Sequence, residues 1–120
     1  MPLTYNNQTP SAGGLFEQND SGVSRFVEMV LEEMNRLGMI VDFSHAGKKT
    51  CFDALYFSKK PVAISHANPA FFHKSIRNID DEVLKKLSIK NGFIGLSLYP
   101  YHLKNHGDCK LVEFCEMIKQ

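Results

Sequence analysis

The sequence predicts an α/β fold made of parallel (β/α) units. Two observations carry this: short, evenly apolar runs alternate with amphipathic stretches of helical period, and the resulting series is β, long loop, α, β, α, β, α, β, α. Strands separated by helices pair in parallel through right-handed crossovers. An open doubly wound sheet and part of a closed (β/α)8 barrel both accept that series. An open sheet of four strands would be complete, whereas half a barrel would keep two unpaired edges and an uncovered inner face. With 120 residues, 43% of them apolar, the chain makes a single domain over residues 1–120 and has no room for two independent cores.

The elements follow in order. Residues 2–5 form a candidate opening strand, and residues 6–20, rich in Asn, Gln, Gly and Ser, form a long loop. Val23, Phe26, Val27, Val30, Leu31, Met34 and Leu37 then recur at helical spacing, with Arg25, Glu28, Glu32, Glu33 and Arg36 on the other face. Asp20 or Ser21 is placed to cap this helix, and Gly38 stands where a left-handed terminating residue is wanted. Residues 39–43 are too few and too evenly apolar for a surface helix and fit a buried parallel strand. In TCFDALYFS, Thr50 and Asp53 are spaced as a capping pair, and Phe52, Leu55 and Tyr56 make an apolar stripe. Pro61 opens the strand Val62–Ile64. Asp80 caps a third helix with Val83, Leu84 and Leu87 inward, Asn91 and Gly92 stop it, and residues 93–98 form the next strand. A last amphipathic stretch sets Leu111, Phe114, Cys115 and Ile118 on one side.

Composition excludes some functions. Fourteen Lys and Arg against thirteen Asp and Glu give a net charge of +1, without the surplus that binding to nucleic acid or a membrane surface calls for. No apolar run approaches the roughly 20 residues that span a bilayer. The start MPLTYNNQTP lacks the basic and apolar stretches of a signal peptide, and three cysteines cannot all pair. A soluble chain in a reducing, cytoplasmic setting is the expectation.

In parallel α/β folds, functional side chains collect beyond the carboxyl ends of the strands. Tyr5 follows the first expected strand, His45 the second in VDFSHAG, His66 the third in VAISHAN, and Tyr99 and His102 the fourth in LSLYPYHL. The two Ser-His pairs lie 21 residues apart, about one α/β repeat, so adjacent strands would bring the imidazoles close together. Two neutral imidazoles on rigid strand ends suit a zinc-like cation; the alternative is that each histidine only caps a neighbouring loop. Asp42 is placed either to orient a ligand histidine or to accept backbone amides. His73 and His106, in a turn and a polar loop, take no role. Cys51, Cys109 and Cys115 lack metal-ligand spacing and read as packed or exposed thiols.

The segments LTYNNQ, EMNRLGMIVDFSHAG, PVAISHANP, RNIDDEVL and NGFIGLSLYP, in that order, closely resemble the membrane dipeptidase (renal dipeptidase) family of zinc peptidases. The resemblance covers nearly the whole chain and includes the 21-residue gap between His45 and His66 and the 11-residue step from His66 to Arg77. It implies a (β/α)8 barrel, hence the barrel rather than the open sheet, and two zinc ions per complete site. His45 and His66 resemble the two histidine ligands of one of those ions. Arg77 resembles the clamp for the substrate's terminal carboxylate, which suits the planar donor fork of a guanidinium. Tyr5 stands where some members have a substrate-contacting histidine, and His102 lies in the loop where others place a tyrosine near the substrate.

The activity implied is hydrolysis of dipeptides by metal-activated water. The family's His-x-Asp pair, its bridging glutamate and its proton-transfer aspartate have no counterparts in this sequence, so an internal piece of about half a barrel, with at most a half-site for zinc, is expected. The alternative is a catalytically inactive remnant acting as a self-associating or binding module. A related barrel hydrolase acting on another amide or ester is a third reading. For half a barrel, the inner faces of residues 39–43, Val62–Ile64 and 93–98 would meet solvent, and the chain would form homodimers or aggregates through its open edges.

Overall fold

The computed structural model describes residues 1–7, 9–10, 12–104 and 108–119. Its elements are α1 (Arg25–Arg36), β1 (Val41–Asp42), α2 (Lys48–Phe57), β2 (Val62–Ile64), α3 (Asp81–Ile89), β3 (Phe93–Ile94), a 3-10 turn (Pro100–His102) and α4 (Leu111–Ile118). The strands form one parallel sheet in the order β1-β2-β3, with Val41 opposite Val62, Asp42 opposite Ala63 and Ile64 opposite Ile94. The expected parallel α/β architecture is the one the chain adopts.

Strands are shorter than the apolar runs, because other partners take the backbone at their ends. The opening segment joins the β1 edge through a single parallel bridge from Pro2 to Asp42. The Leu3 N–H donates to the Asp42 carbonyl at 3.3 Å, and proline between its neighbours has no N–H to extend the ladder. At the front of β1, the Met39 N–H turns back to the Met34 carbonyl at 2.8 Å. Beyond β3, the Ser97 N–H is bound by the Asn68 side chain at 2.9 Å, so the expected strand over 93–98 stops at Ile94.

Helix α1 ends where Gly38 predicts. Gly38 has φ +71°, its N–H donates to the Asn35 carbonyl at 3.3 Å, and with the Met39 bond it closes a Schellman motif. Its start differs from expectation: the N-cap is Ser24, whose hydroxyl turns to the Pro10 carbonyl at 3.4 Å. Asp20 is engaged elsewhere, accepting from the Thr50 amide at 3.0 Å and the Thr50 hydroxyl at 2.7 Å. It thereby caps α2, whose own N-cap, Gly47, has no side chain to do so. The expected Thr50–Asp53 pair does not form; Asp53 instead accepts from the Val23 amide at 3.0 Å and faces Lys49 at 3.8 Å. Asp80 caps α3 as expected, accepting from the Glu82 amide at 3.0 Å, and Asn91 at φ +53° ends the turn after it.

One core joins Val27, Leu31 and Met34 of α1, Val41 and Phe43, Cys51, Ala54 and Leu55 of α2, Val62 and Ile64, and Val83 and Leu87 of α3. Each fully buried Val, Leu, Ile or Phe contributes ~1.5–3 kcal/mol. The buried faces are narrower than the apolar patterns: Phe26, Leu37 and Tyr56 are exposed, because each helix touches the sheet only along one stripe. On α4, Met117 is the buried residue, packed with Phe72 and Leu103, while Leu111, Cys115 and Ile118 point outward. The central strand does not meet solvent, since Val62, Ala63 and Ile64 are all buried; exposure falls on the edge, where Phe93 is 54% accessible. Among the described residues, no helix is long and apolar enough to cross a membrane.

Candidate metal and substrate site

The register that sets Val41 opposite Val62 carries the same 21-residue offset past the strand ends, bringing Ser44 beside Ser65 and His45 beside His66. The two Nε2 atoms lie 2.9 Å apart, and the ring centroids 4.9 Å. His45 is buried and His66 is exposed, so the pair sits at the rim of the sheet with one wall open. Tyr5, itself exposed, stacks on the His45 ring at 4.2 Å and 22°. Burial, then electrostatic repulsion from Arg77 and from the adjacent His66, lower the His45 pKa to about 4, which keeps the His45 imidazole neutral at physiological pH.

Each ring is held at its other nitrogen. His45 Nδ1 lies 2.6 Å from Asn6 Oδ1, and His66 Nδ1 lies 2.8 Å from Ser65 Oγ. Asn6 adopts φ +63°, in the left-handed region that asparagine tolerates best among non-glycine residues. Asp42 organises the His66 side. Its Oδ1 accepts from the Ser44 hydroxyl at 2.6 Å and from the amides of Ser44 and Ser65 at 3.0 and 3.2 Å, and its Oδ2 accepts from the Ser65 hydroxyl at 2.6 Å. Burial raises the Asp42 pKa, but these bonds outweigh it and the net shift is downward, so the carboxylate is ionised. Asp42 thus accepts backbone amides, one of its two expected roles, and through the Ser65 hydroxyl it reaches the histidine of the neighbouring strand.

Arg77 stands on a closed loop whose ends are joined by bonds from Ala70 to Ile79 and from Ile79 to Asn68, each 2.8 Å. Its Nη1 donates to the Ser44 carbonyl at 2.5 Å, and its Nη2 lies 3.5 Å from His45 Nε2. Burial lowers its pKa from the usual guanidinium value. His102 is buried, its ring edge-on to Tyr99 at 5.1 Å, and its Nδ1 has no hydrogen-bond partner among the described residues. Its pKa is lowered by burial, then by Arg77 and His66, which places it in the field of the same cluster without a direct bond to it. The structure thus brings His45, His66, Arg77 and Tyr5 together, with His102 behind them.

Residues that the sequence pattern did not single out do much of the holding. Fully buried Asn68 donates to the carbonyls of Ser97 and His102 at 2.9 and 3.1 Å, and Asn78 donates to those of His73 and His102 at 2.7 and 3.0 Å. These two amides tie the loop of His102 to the loops of His66 and Arg77. The signal for Ser44 and Ser65 was the serine before each histidine; Asn6, inside the long loop, had none. His73 contributes only its carbonyl, His106 lies outside the described residues, and the three cysteines are free. Among the described residues, no cluster of three or more His, Cys, Asp or Glu is arranged around one ion, so the histidines form a two-nitrogen donor set.

A family model described as membrane dipeptidase (peptidase family M19) matches residues 1–120. An uncharacterized dipeptidase of Schizosaccharomyces pombe is 36% identical over 114 residues, covering 89% of this chain and 27% of that protein. Dipeptidase 3 of Mus musculus is 36% identical over 104 residues, covering 82% and 21%. Among solved structures, an amidohydrolase from Pseudomonas aeruginosa superposes with a TM-score of 0.92 at 36% identity, over 98% of this chain and 36% of its own. A metallo peptidase from Rhodobacter sphaeroides, liganded with a phosphinate mimic of the dipeptide L-Ala-D-Ala, shares the fold with a TM-score of 0.88 at 20% identity, over 98% of this chain and 36% of its own. The chain spans 27% and 21% of the lengths of the two curated relatives.

Proposed function

The chain belongs to the membrane dipeptidase family, and from that premise we propose that it carries part of a metallo-dipeptidase active site within a (β/α)8 barrel. The observation that carries this reading is the convergence of His45 Nε2 and His66 Nε2 at 2.9 Å beside the guanidinium of Arg77. Two imidazole nitrogens on one tetrahedral zinc, at about 2.0–2.1 Å each, stand roughly 3.3 Å apart. The pair falls within a few tenths of an ångström of that spacing with its second nitrogens already engaged, so the donor set fits a cation. Imidazole donors suit zinc, and zinc is the ion proposed. When bound, it supplies Lewis acidity toward a carbonyl oxygen.

The chain's own residues do the rest of the work available here. Asn6 and Ser65 hold the imidazoles in orientation. Arg77, braced on the Ser44 carbonyl, offers its remaining N–H groups to the terminal carboxylate of a dipeptide. Tyr5, an exposed ring packed on His45, and His102, a buried imidazole whose Nδ1 has no partner among the described residues, are the further groups proposed to meet the substrate. The remaining ligands of a dinuclear site would come from outside these residues.

Calorimetric titration of the chain with zinc tests the reading, with His45→Ala and His66→Ala alongside. Binding near one zinc per chain that is lost in either variant supports it. No binding, or binding indifferent to both substitutions, overturns it and favours the non-catalytic, self-associating module.

A further inference from the structure

The geometry points to an Asp42–Ser65 relay that fixes which nitrogen of His66 carries the proton, making Asp42 and Ser65 positioning residues for the cation site. This rests on the reading of His66 as a ligand and explains how its Nε2 is kept available.

The Ser65 hydroxyl has one proton and three neighbours: Asp42 Oδ2 at 2.6 Å, His66 Nδ1 at 2.8 Å and Ser44 Oγ at 3.0 Å. An ionised carboxylate only accepts, so an oxygen-to-oxygen contact of 2.6 Å requires the hydroxyl proton to lie between the two. Ser44 is committed in the same way to Asp42 Oδ1, also at 2.6 Å. Ser65 Oγ therefore has only lone pairs to offer His66, and Nδ1 must carry a proton and donate it. That leaves Nε2 of neutral His66 with a bare lone pair, the reverse of the tautomer a free histidine prefers in water.

Asn6 Oδ1 imposes the same arrangement on His45, whose Nδ1 donates at 2.6 Å. Two lone pairs then face each other at 2.9 Å, an arrangement that repels unless a cation lies between them. The relay crosses strands because Asp42 is registered opposite Ala63, and Ser65, two residues further along β2's path, returns to the same side.

The test is proton–nitrogen correlation NMR of the His66 ring in the metal-free chain, near pH 8, for wild type, Ser65→Ala, Asp42→Asn and Ser65→Thr. Ser65 is exposed, so its replacement leaves the core untouched. Wild type and Ser65→Thr are expected to show an Nδ1 proton, and Ser65→Ala and Asp42→Asn a shift toward the Nε2 proton. Zinc titration of the same proteins should show about 10–100-fold weaker binding in Ser65→Ala and Asp42→Asn, with Ser65→Thr restoring it. A His66 ring protonated at Nε2 in wild type overturns the relay whatever the zinc result, as does an Nδ1 proton that persists in Ser65→Ala. An Nδ1 proton that is lost in Ser65→Ala, in a wild type that binds no zinc, supports the relay and removes instead the reading of His66 as a ligand.

Discussion

Arg77 is braced on the backbone of Ser44, its Nη1 donating to that carbonyl at 2.5 Å, so the candidate carboxylate clamp is mounted on the residue immediately before His45. A lysine, with a single point charge on a flexible stem, cannot both keep that bond and present a donor fork. Arg77→Lys should leave zinc content unchanged and weaken dipeptide binding by about tenfold, the effect of losing one hydrogen bond to a charged group. Calorimetry with a dipeptide on the zinc-loaded chain checks this. An equal loss of zinc would mean that Arg77 serves His45 rather than substrate.

Asn68 makes three bonds to the segment around the 3-10 turn: to the Ser97 amide, the Ser97 carbonyl and the His102 carbonyl. Asn68→Ala removes the partner of the half-buried Ser97 amide and carbonyl, while the His102 carbonyl keeps its bond from Asn78, at a cost of ~1–3 kcal/mol for each group left unsatisfied. Urea unfolding should show the loss, and hydrogen exchange should quicken at the Ser97 amide while amides of the α1 core stay protected.

Asp80 caps α3 and meets Lys48 at 3.0 Å. The bond from the Glu82 amide, then Lys48, lowers its carboxyl pKa below the ordinary value. A depressed folded pKa contributes stability that is present above the unfolded value of about 4 and is lost as pH falls through the folded one. Asp80→Ala should therefore cost ~1 kcal/mol near neutrality and much less in strong acid, read from thermal melts at both pH values.

Burial raises the Cys51 thiol pKa to about 12, whereas Cys115 is exposed. A disulfide reagent at pH 8 should modify Cys115 at once and Cys51 only after denaturant is added. The sign for stability follows: Cys51 favours the folded state below its unfolded pKa of about 8.5, and that contribution declines as pH rises toward the folded value.

The free edge of β3 carries exposed Phe93. Light scattering should show concentration-dependent association, and Phe93→Lys should reduce it, since an edge lysine opposes strand addition. Identical scattering from both proteins would discard this edge as the contact.

The sheet and the helix faces were legible where local pattern and tertiary demand coincide. Gly38, Pro61, Asp80 and Asn91 act at the chain positions where their own backbone chemistry sets a boundary. Asp20 misled because its partner is Thr50, 30 residues away, and no local rule sees such a bond. Phe26 and Tyr56 misled because helical spacing reports an apolar face without reporting how wide a neighbour covers it. In the site, the repeat of Ser-His at strand ends revealed the imidazole pair, since parallel register converts equal spacing into proximity. The supports from Asn6, Asn68 and Asn78 were hidden, because an amide in a loop looks the same whether it faces solvent or holds three segments together.

Asp20 reaching forward to Thr50 and Asp53 reaching back to the Val23 amide each span 30 residues, in opposite senses. The described part of the stretch between the opening bridge and α1 is thus pinned at its far end to α2, and the pairing recorded for it consists of isolated bridges, Tyr5 with Asn7, Ala12 with Val23 and Gly14 with Ala46. The arm that brings Tyr5 and Asn6 onto His45 is held from two sides, by the Thr4 hydroxyl and the Leu15 amide on the His45 carbonyl and by two carboxylates well away from the imidazoles.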